Sequence, residues 1–462
     1  MNVILFCILA YIASQLLLAF IVSRRAKTES DYLLAGRSLG PWLATFTVFA
    51  TWFGAETCVG AAGEAYKNGL SGVITDPFGY ALGVVLMGLF FAAAMWKRGL
   101  VTLADLFHRR YGTGVERLAA IIMIPTSVLW AAAQVRAFGQ VLASASDLGI
   151  FTAITLAAAV VILYTTVGGM WADAVTDLMQ GIVLIVGIAA LAVVMVMKGA
   201  ATQFMQLPAE RLSFMGDRSV LQTIETFSVP VLSSIAAQEL ASRVLAMRSV
   251  RLARSATVGA GFIYLAVGLI PVGLGLVAFQ YLGNGADPEQ VLSRIAQQNL
   301  SLPLYILFLG ALVSAILSTL SGALLVAGSL AAHNIVMPLK PGLSEKSKLL
   351  TNRAAVVLFG LVAYGIALSS ESVYELVQES SSLGSSGILV LILFALWGGR
   401  VGGAASAYAA LLASLAVFVF GRHAYAFDYP YLTSLAAALL GYVVFAPLSR
   451  RDAPTQYLTE QP

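Results

Sequence analysis

The sequence predicts an all-α integral membrane protein with thirteen transmembrane helices, and three observations carry that prediction. Of its 462 residues, 59% are hydrophobic and only 11% charged, with a mean hydropathy of +0.87; soluble chains carry about 25% charged residues. Apolar runs near the ~20 residues needed to span hydrocarbon recur along the chain. Lys and Arg gather between alternate runs, as cytoplasmic loops require.

The first run, 3–22, has no basic residue before it and Arg24, Arg25 and Lys27 after it. A cleaved signal peptide has the opposite order, so this segment is expected to be retained as an anchor with its N-terminus outside. Further helices are expected near 39–63, 73–96, 117–147, 150–167, 171–198, 217–245, 255–283, 303–336, 349–369, 373–398, 401–421 and 428–448. The segments 117–147 and 303–336 are long enough to extend past the hydrocarbon or bend, and Pro125 is placed to bend the former. The outer connections 199–216 and 284–302 are polar, and so is the tail after Ser449; no soluble domain is expected.

Charge tests this register. One side collects basic groups from Arg24 and Arg25 through Arg98, Arg109, Arg251, Lys346 and Arg400 to Arg450 and Arg451. The other has six: Lys67, Lys198, Arg211, Arg218, Arg294 and Arg422. The expected topology is N-terminus out and C-terminus in, in a plasma (bacterial inner) membrane. The net charge of +4 reflects these loops, so a lipid bilayer is the implied partner and nucleic acid is not. Cys7 and Cys58 lie within apolar segments, and His108, His333 and His423 are scattered, so neither a disulfide framework nor a metal cluster is available. No nucleophile, P-loop or dinucleotide motif appears, which argues against an enzyme.

One stretch is out of keeping with a simple span. Residues 50–60 place Glu56 at bilayer depth between Gly54 and Gly60. Either the helix breaks there and offers freed carbonyls to a ligand, or the glycines allow close packing and Glu56 bonds a neighbour. The repeat pattern favours the break. With 1–38 set aside as an extra helix and cytoplasmic loop, 39–198 and 199–398 each hold five helices, and 399–462 adds two more with the tail. Five is odd, so the second group enters from the opposite side. Each group opens on an interrupted helix, at Trp52-Phe53-Gly54 and at 228–234, where Pro230 removes a backbone donor. Such paired breaks point to a midplane binding site in secondary transporters.

Several separated blocks resemble the sodium:solute symporter family over nearly the whole length. They include Asp31-Tyr32-Leu33-Leu34-Ala35-Gly36-Arg37, Gly60 with Gly63, and Tyr164-Thr165-Thr166-Val167-Gly168-Gly169. Thr176-Asp177-Leu178-Met179-Gln180, Gln238 with Arg243, and Ala315-Ile316-Leu317-Ser318-Thr319 complete the set. The resemblance implies a five-plus-five inverted-repeat core like that of the leucine transporter (LeuT), with sodium driving uptake of a small solute. It does not name the solute.

Sodium is a hard cation that takes oxygen ligands. Ser314, Ser318 and Ser321 share one face of the ninth helix, with Ala315 and Thr319 beside it. By similarity to the family, the carbonyls of Ala50, Phe53 and Ala315 and the hydroxyls of Ser318 and Thr319 are the implied sodium ligands. Taken without the resemblance, that face reads more readily as ordinary helix packing, and the match at all five positions reverses that reading. Asp177 with Ser318 and Ser321 matches a second sodium site; Gly322 stands where a further hydroxyl is expected, and a structural role for Asp177 stays open, as does a coupling role for Asp173.

For the solute, Trp52, Glu56, Thr57, Trp130, Gln134 and Gln238 are the lining candidates. Trp52 and Trp130 match tryptophans of the choline-transporting branch, whose indole faces attract a quaternary ammonium. Ala237 and Val377 stand where that branch has further aromatics. Pro230, Ser233 and Ser234 replace groups of the sugar-transporting members. The expected solute is a choline-like cation or a small zwitterion such as an amino acid. Arg136 either meets a substrate carboxylate or pairs with Glu375 or Glu379. Function as a monomer is expected. The alternative is a solute-binding membrane sensor with little transport, for which a long cytoplasmic extension is the missing feature.

Overall fold

The computed structural model describes residues 3–448 apart from 147, 284 and 371. The polar tail after Ser449, with Arg450 and Arg451, lies outside the described residues. The chain is helical almost throughout. It opens with α1 (Val3–Ser23), a short α2 (Glu29–Leu34), then α3 (Pro41–Trp52) and α4 (Ala61–Asn68). Next come α5 (Tyr80–Leu86), α6 (Ala92–Trp96), α7 (Leu103–Tyr111), α8 (Thr113–Ser144), α9 (Ile150–Met197) and α10 (Ala200–Met205). The second half runs α11 (Val220–Ala236), α12 (Gln238–Leu245), α13 (Val250–Leu282), α14 (Val291–Asn299) and α15 (Leu302–Ser329). It ends with α16 (Glu345–Ser369), α17 (Val373–Ser382), α18 (Ser385–Trp397), α19 (Ala404–Val419) and α20 (Pro430–Val444).

Among the described residues, nine helices are long and apolar enough to cross a membrane, or ten when the bent pair α11 and α12 is taken as one span. The expectation of thirteen departs from this for identifiable reasons. The expected pair 150–167 and 171–198 forms one 48-residue helix, α9, interrupted only at Gly169. The first broken helix is divided into pieces each too short to span, and α20 has 15 residues.

At Gly169 the backbone takes φ 64° and ψ −178°, open in practice to glycine alone. The Tyr32 ring packs where a side chain would stand, and the Tyr32 hydroxyl reaches the carbonyls of Thr165 and Thr166 at 3.4 and 3.5 Å. Those are carbonyls in the turn before the break, where helix geometry leaves acceptors without amides.

The expected break at Pro230 falls elsewhere. Helix α11 continues through Pro230 and ends at Ala236; Ala237 is extended (φ −75°, ψ 126°), and α12 leaves at 41°. Proline removes one donor, the one Thr226 O would take, without ending α11, whereas α12 is held in its own direction. The amide of Leu103 donates to Gln238 Oε1 (2.5 Å), and Arg243 is anchored to α3 and α9. Pro125 likewise leaves α8 a continuous helix.

The start of the first broken helix meets the end of the second. Leu39 accepts from the Arg248 amide and donates to the Ala246 carbonyl, both at 3.2 Å. Helix α15 is the central post: from Ala311 to Ser329 every residue is buried. It packs chiefly on α9 and α8, and the mixed pattern of small, hydroxylated and aliphatic residues on all its faces fits a helix with no lipid side.

Candidate functional site

Where α3 stops, the hydrogen-bond ladder is rerouted. A continuous helix would give the Gly54 amide to the Ala50 carbonyl; instead it donates to Trp52 O (3.1 Å). Phe53 turns out of helical geometry (φ −84°, ψ 80°). The Ala55 amide, which Thr51 O would otherwise take, donates to Gln134 Oε1 (2.9 Å). The chain then resumes through a wide turn, Glu56–Gly60, into α4.

The freed Ala50 carbonyl faces α15. Ser318 Oγ lies 2.9 Å from it and 3.0 Å from the carbonyls of Ser314 and Ala315, and Thr319 Oγ1 lies 3.2 Å from it. Four of the five residues expected to ligate sodium, Ala50, Ala315, Ser318 and Thr319, thus meet through these contacts, and Phe53 is the residue at which the backbone turns out of the helix. All five residues are buried. Oxygens near 3 Å apart, neutral and fully desolvated, form a set that a small hard cation can hold once the hydroxyl protons turn away. Among the described residues no group of three or more His, Cys, Asp or Glu could hold a metal ion, so hydroxyls and carbonyls are the donors available.

Glu56 is taken up by its surroundings. Its carboxylate accepts from Trp130 Nε1 (3.2 Å) and Gln134 Nε2 (2.7 Å), so Gln134 clamps both sides of the break. Thr57 turns the other way, to Asp76 Oδ2 (2.9 Å) and Tyr264 OH (2.7 Å), while Tyr264 donates to Asp76 Oδ1 (2.8 Å).

Beside the break lies a cavity of about 560 Å³ of space outside protein atoms, part of it continuous with solvent. Of the sequence-derived solute candidates it takes Trp52, Trp130 and Gln238; Glu56, Thr57 and Gln134 stand outside its lining. The two indoles meet edge to face, centroids 5.1 Å apart at 79°. Trp52 Nε1 donates to Ser234 Oγ (3.2 Å), which joins the two broken helices. Sequence reasoning missed Tyr80, Ser127, Glu239, Ser380 and Ser381 in the lining. Glu239 and Asp76 carried a usable signal, an ionisable side chain inside an apolar run; the serines carried none.

A second buried cluster surrounds Arg243. Its Nε donates to Thr51 Oγ1 (2.8 Å), Nη1 to Met170 Sδ (2.6 Å) and Nη2 to Asp173 Oδ2, the last a short ion pair. Ser321 donates to Asp173, whereas Asp177 accepts from Thr47 (2.5 Å) and lies 4.0 Å from Arg243. A Cβ on Gly322 would stand 2.8 Å from Arg243 Nη2, so the missing hydroxyl has a steric reason. On α17, Glu379 pairs with Arg422 (3.0 Å) and His423 (3.2 Å).

At the basic end, α7 is tied to the foot of α15 and to α2. His333 bridges Glu29 (2.8 Å) and Asp105 (3.4 Å), and Asn334 donates to Asp105 and Glu116, both at 2.9 Å. Burial acts to raise the Asp105 carboxyl, but His333 and the amides of Thr102 and Val101 outweigh it and hold the group at about 2. It stays an anionic anchor across the physiological range.

Two broken helices crossing beside a buried post, with freed carbonyls facing hydroxyls, define a multi-pass membrane protein of the leucine-transporter fold. Solved structures agree. A Na+-coupled sialic acid symporter in a substrate-bound, outward-open state superposes with a TM-score of 0.86 at 17% identity, covering 97% of this chain and 98% of that one. MhsT in complex with L-phenylalanine superposes at 0.60 and 15% identity, covering 88% and 98%. The chain belongs to the Sodium:solute symporter family, whose profile matches residues 32–414. Its relatives include the high-affinity choline transporter 1 of Caenorhabditis elegans, 28% identical over 76% of this chain and 64% of that protein. The human high-affinity choline transporter 1 is 28% identical over 78% and 66%, and the sodium/proline symporter of Staphylococcus aureus 26% over 84% and 80%. The chain thus spans about two thirds of the length of the choline transporters it matches.

Proposed function

We propose that this chain is a sodium-coupled symporter that imports a small polar organic solute by alternating access. The carrying observation is the convergence of Ser318 and Thr319 on the Ala50 carbonyl, a backbone acceptor released only because α3 breaks. In this reading sodium is co-transported cargo, held by the carbonyls of Ala50, Phe53 and Ala315 and the two hydroxyls. The solute occupies the adjoining cavity against Trp52 and Trp130. Ion and solute each steady the same broken helix, so each favours binding of the other. Glu56 and Gln134 set the shape of the break, and Thr57 ties it to Asp76. Transport of this kind needs no covalent step.

The proposed stoichiometry is one sodium per cycle. Arg243 brings a fixed positive charge against Asp173 and within 4.0 Å of Asp177, which disfavours a second cation at Asp177 and Ser321. Thirteen crossings are proposed, with α9 divided at Gly169 and α3 with α4 making one span. The chain would lie in a plasma membrane, N-terminus outside and C-terminus in the cytoplasm, and act as a monomer built on repeats 39–198 and 199–398.

Reconstituted vesicles test the proposal. Solute uptake is expected with an inward sodium gradient and to collapse when potassium replaces sodium. Ser318→Ala with Thr319→Ala should raise the sodium concentration for half-maximal uptake at least tenfold while leaving a folded protein. An unchanged sodium requirement would remove this ion site.

A further inference from the structure

The cavity beside the break contains one carboxylate that neither the ion site nor the clamp at Glu56 uses. Among the described residues lining it, Glu239 is the single formally charged side chain; no Lys, Arg, His or Asp joins it. Glu239 is 5% exposed, and its Oε1 accepts from Ser127 Oγ at 2.5 Å across the α12–α8 boundary. Its nearest basic group along α12, Arg243, is spent on Thr51, Met170 and Asp173. Glu239 is the second residue of α12, where the positive end of the helix dipole favours a carboxylate.

The aromatic wall has the same sign. Both indole N–H groups are engaged by residues outside the lining, Trp52 with Ser234 and Trp130 with Glu56. The two rings therefore bring aromatic surface to the cavity with their donors already taken. A solute carboxylate would meet a carboxylate and find no basic partner; a solute cation would meet a counter-charge and two aromatic surfaces in a partly desolvated space.

Resting on the reading of this cavity as the solute site, we propose that Glu239 is the counter-charge that makes the transported solute an organic monocation, selected over zwitterions and neutral isosteres. Glu239 is thereby a specificity-determining residue.

The test uses the full-length protein in detergent with saturating sodium, titrated calorimetrically with three probes. These are choline, glycine betaine and 3,3-dimethyl-1-butanol, the last being the uncharged carbon isostere of choline. The wild type should bind choline at least tenfold more tightly than either other probe. Glu239→Gln keeps the acceptor for Ser127 but removes the charge, and should bring choline down to the affinity of the isostere while the isostere is unmoved. Glu239→Asp should retain the preference, and Ser127→Ala should keep the choline-to-isostere ratio within threefold. The proposal is overturned if Glu239→Gln still discriminates by charge, if Ser127→Ala erases discrimination as fully, if betaine binds better than choline, or if choline does not bind the wild type. Thermal stabilisation by sodium alone, measured on each variant, keeps this outcome separate from failure of the ion site: it depends on Ser318 and Thr319 and should survive Glu239→Gln.

Discussion

Gln134 shows how much of the site depends on one side chain with two kinds of end. Its carbonyl accepts from the Ala55 amide and its amide donates to Glu56, so the residue both stabilises the break and orients the carboxylate behind it. It is fully buried, so no water can take over either role. Gln134→Leu would leave a backbone donor and a carboxylate oxygen without partners, at about 1–3 kcal/mol for each. The expected result is a lower thermal midpoint together with weaker stabilisation by sodium, because the Ala50 carbonyl depends on the break being held open. A melting curve and sodium response equal to wild type would show that Gln134 is not the clamp. Among the sequence-derived residues, Gln134 and Glu56 were visible as polar groups in apolar runs, but a sequence carries no information on which polar group satisfies which. Gly322 is the converse case: its departure from the family pattern was legible, while the guanidinium that accounts for it comes from a helix some 80 positions away.

At the scale of elements, the two broken helices were legible to different degrees. In the first, glycine and a polar run interrupt an apolar segment, and the break falls between Trp52 and Ala55 as the sequence indicates. In the second, proline drew attention to Pro230, yet the bend is at Ala237, set by what Gln238, Glu239 and Arg243 bond to. A lost backbone donor costs less than giving up three buried tertiary anchors, so tertiary bonding chooses the position of the bend. Gly169 is a break the sequence implied only as a boundary between two helices. Gly169→Ala should destabilise by about 1–3 kcal/mol from backbone strain, and further because its Cβ would stand 2.6 Å from the Tyr32 ring. Combining it with Tyr32→Ala should recover the steric part and not the strain, which a double-mutant cycle of thermal midpoints reads directly. A fully additive cycle would show that the ring contact contributes nothing.

For the molecule as a whole, the asymmetry of basic residues predicts which end faces the cytoplasm. In a variant with Cys7 and Cys58 replaced by Ser, Glu210→Cys and Lys346→Cys place single thiols at exposed positions of opposite ends. A membrane-impermeant maleimide on intact cells should label position 210 and reach 346 only after permeabilisation; the reverse pattern would invert the topology.

The sequence by itself determined the class of molecule, the family and the place where the first broken helix leaves helical geometry. The class and the break follow from composition, segment length and local chemistry, which are properties of neighbouring residues, and the family follows from the resemblance of separated motif blocks. Only the tertiary structure decided where the second helix bends, which hydroxyls face the Ala50 carbonyl, that Ser321 bonds Asp173 rather than Asp177, and that Glu239 borders the cavity. Each of those is a choice among partners distant in the chain, and burial forces the choice: a polar group removed from water must take the partner that packing brings to it.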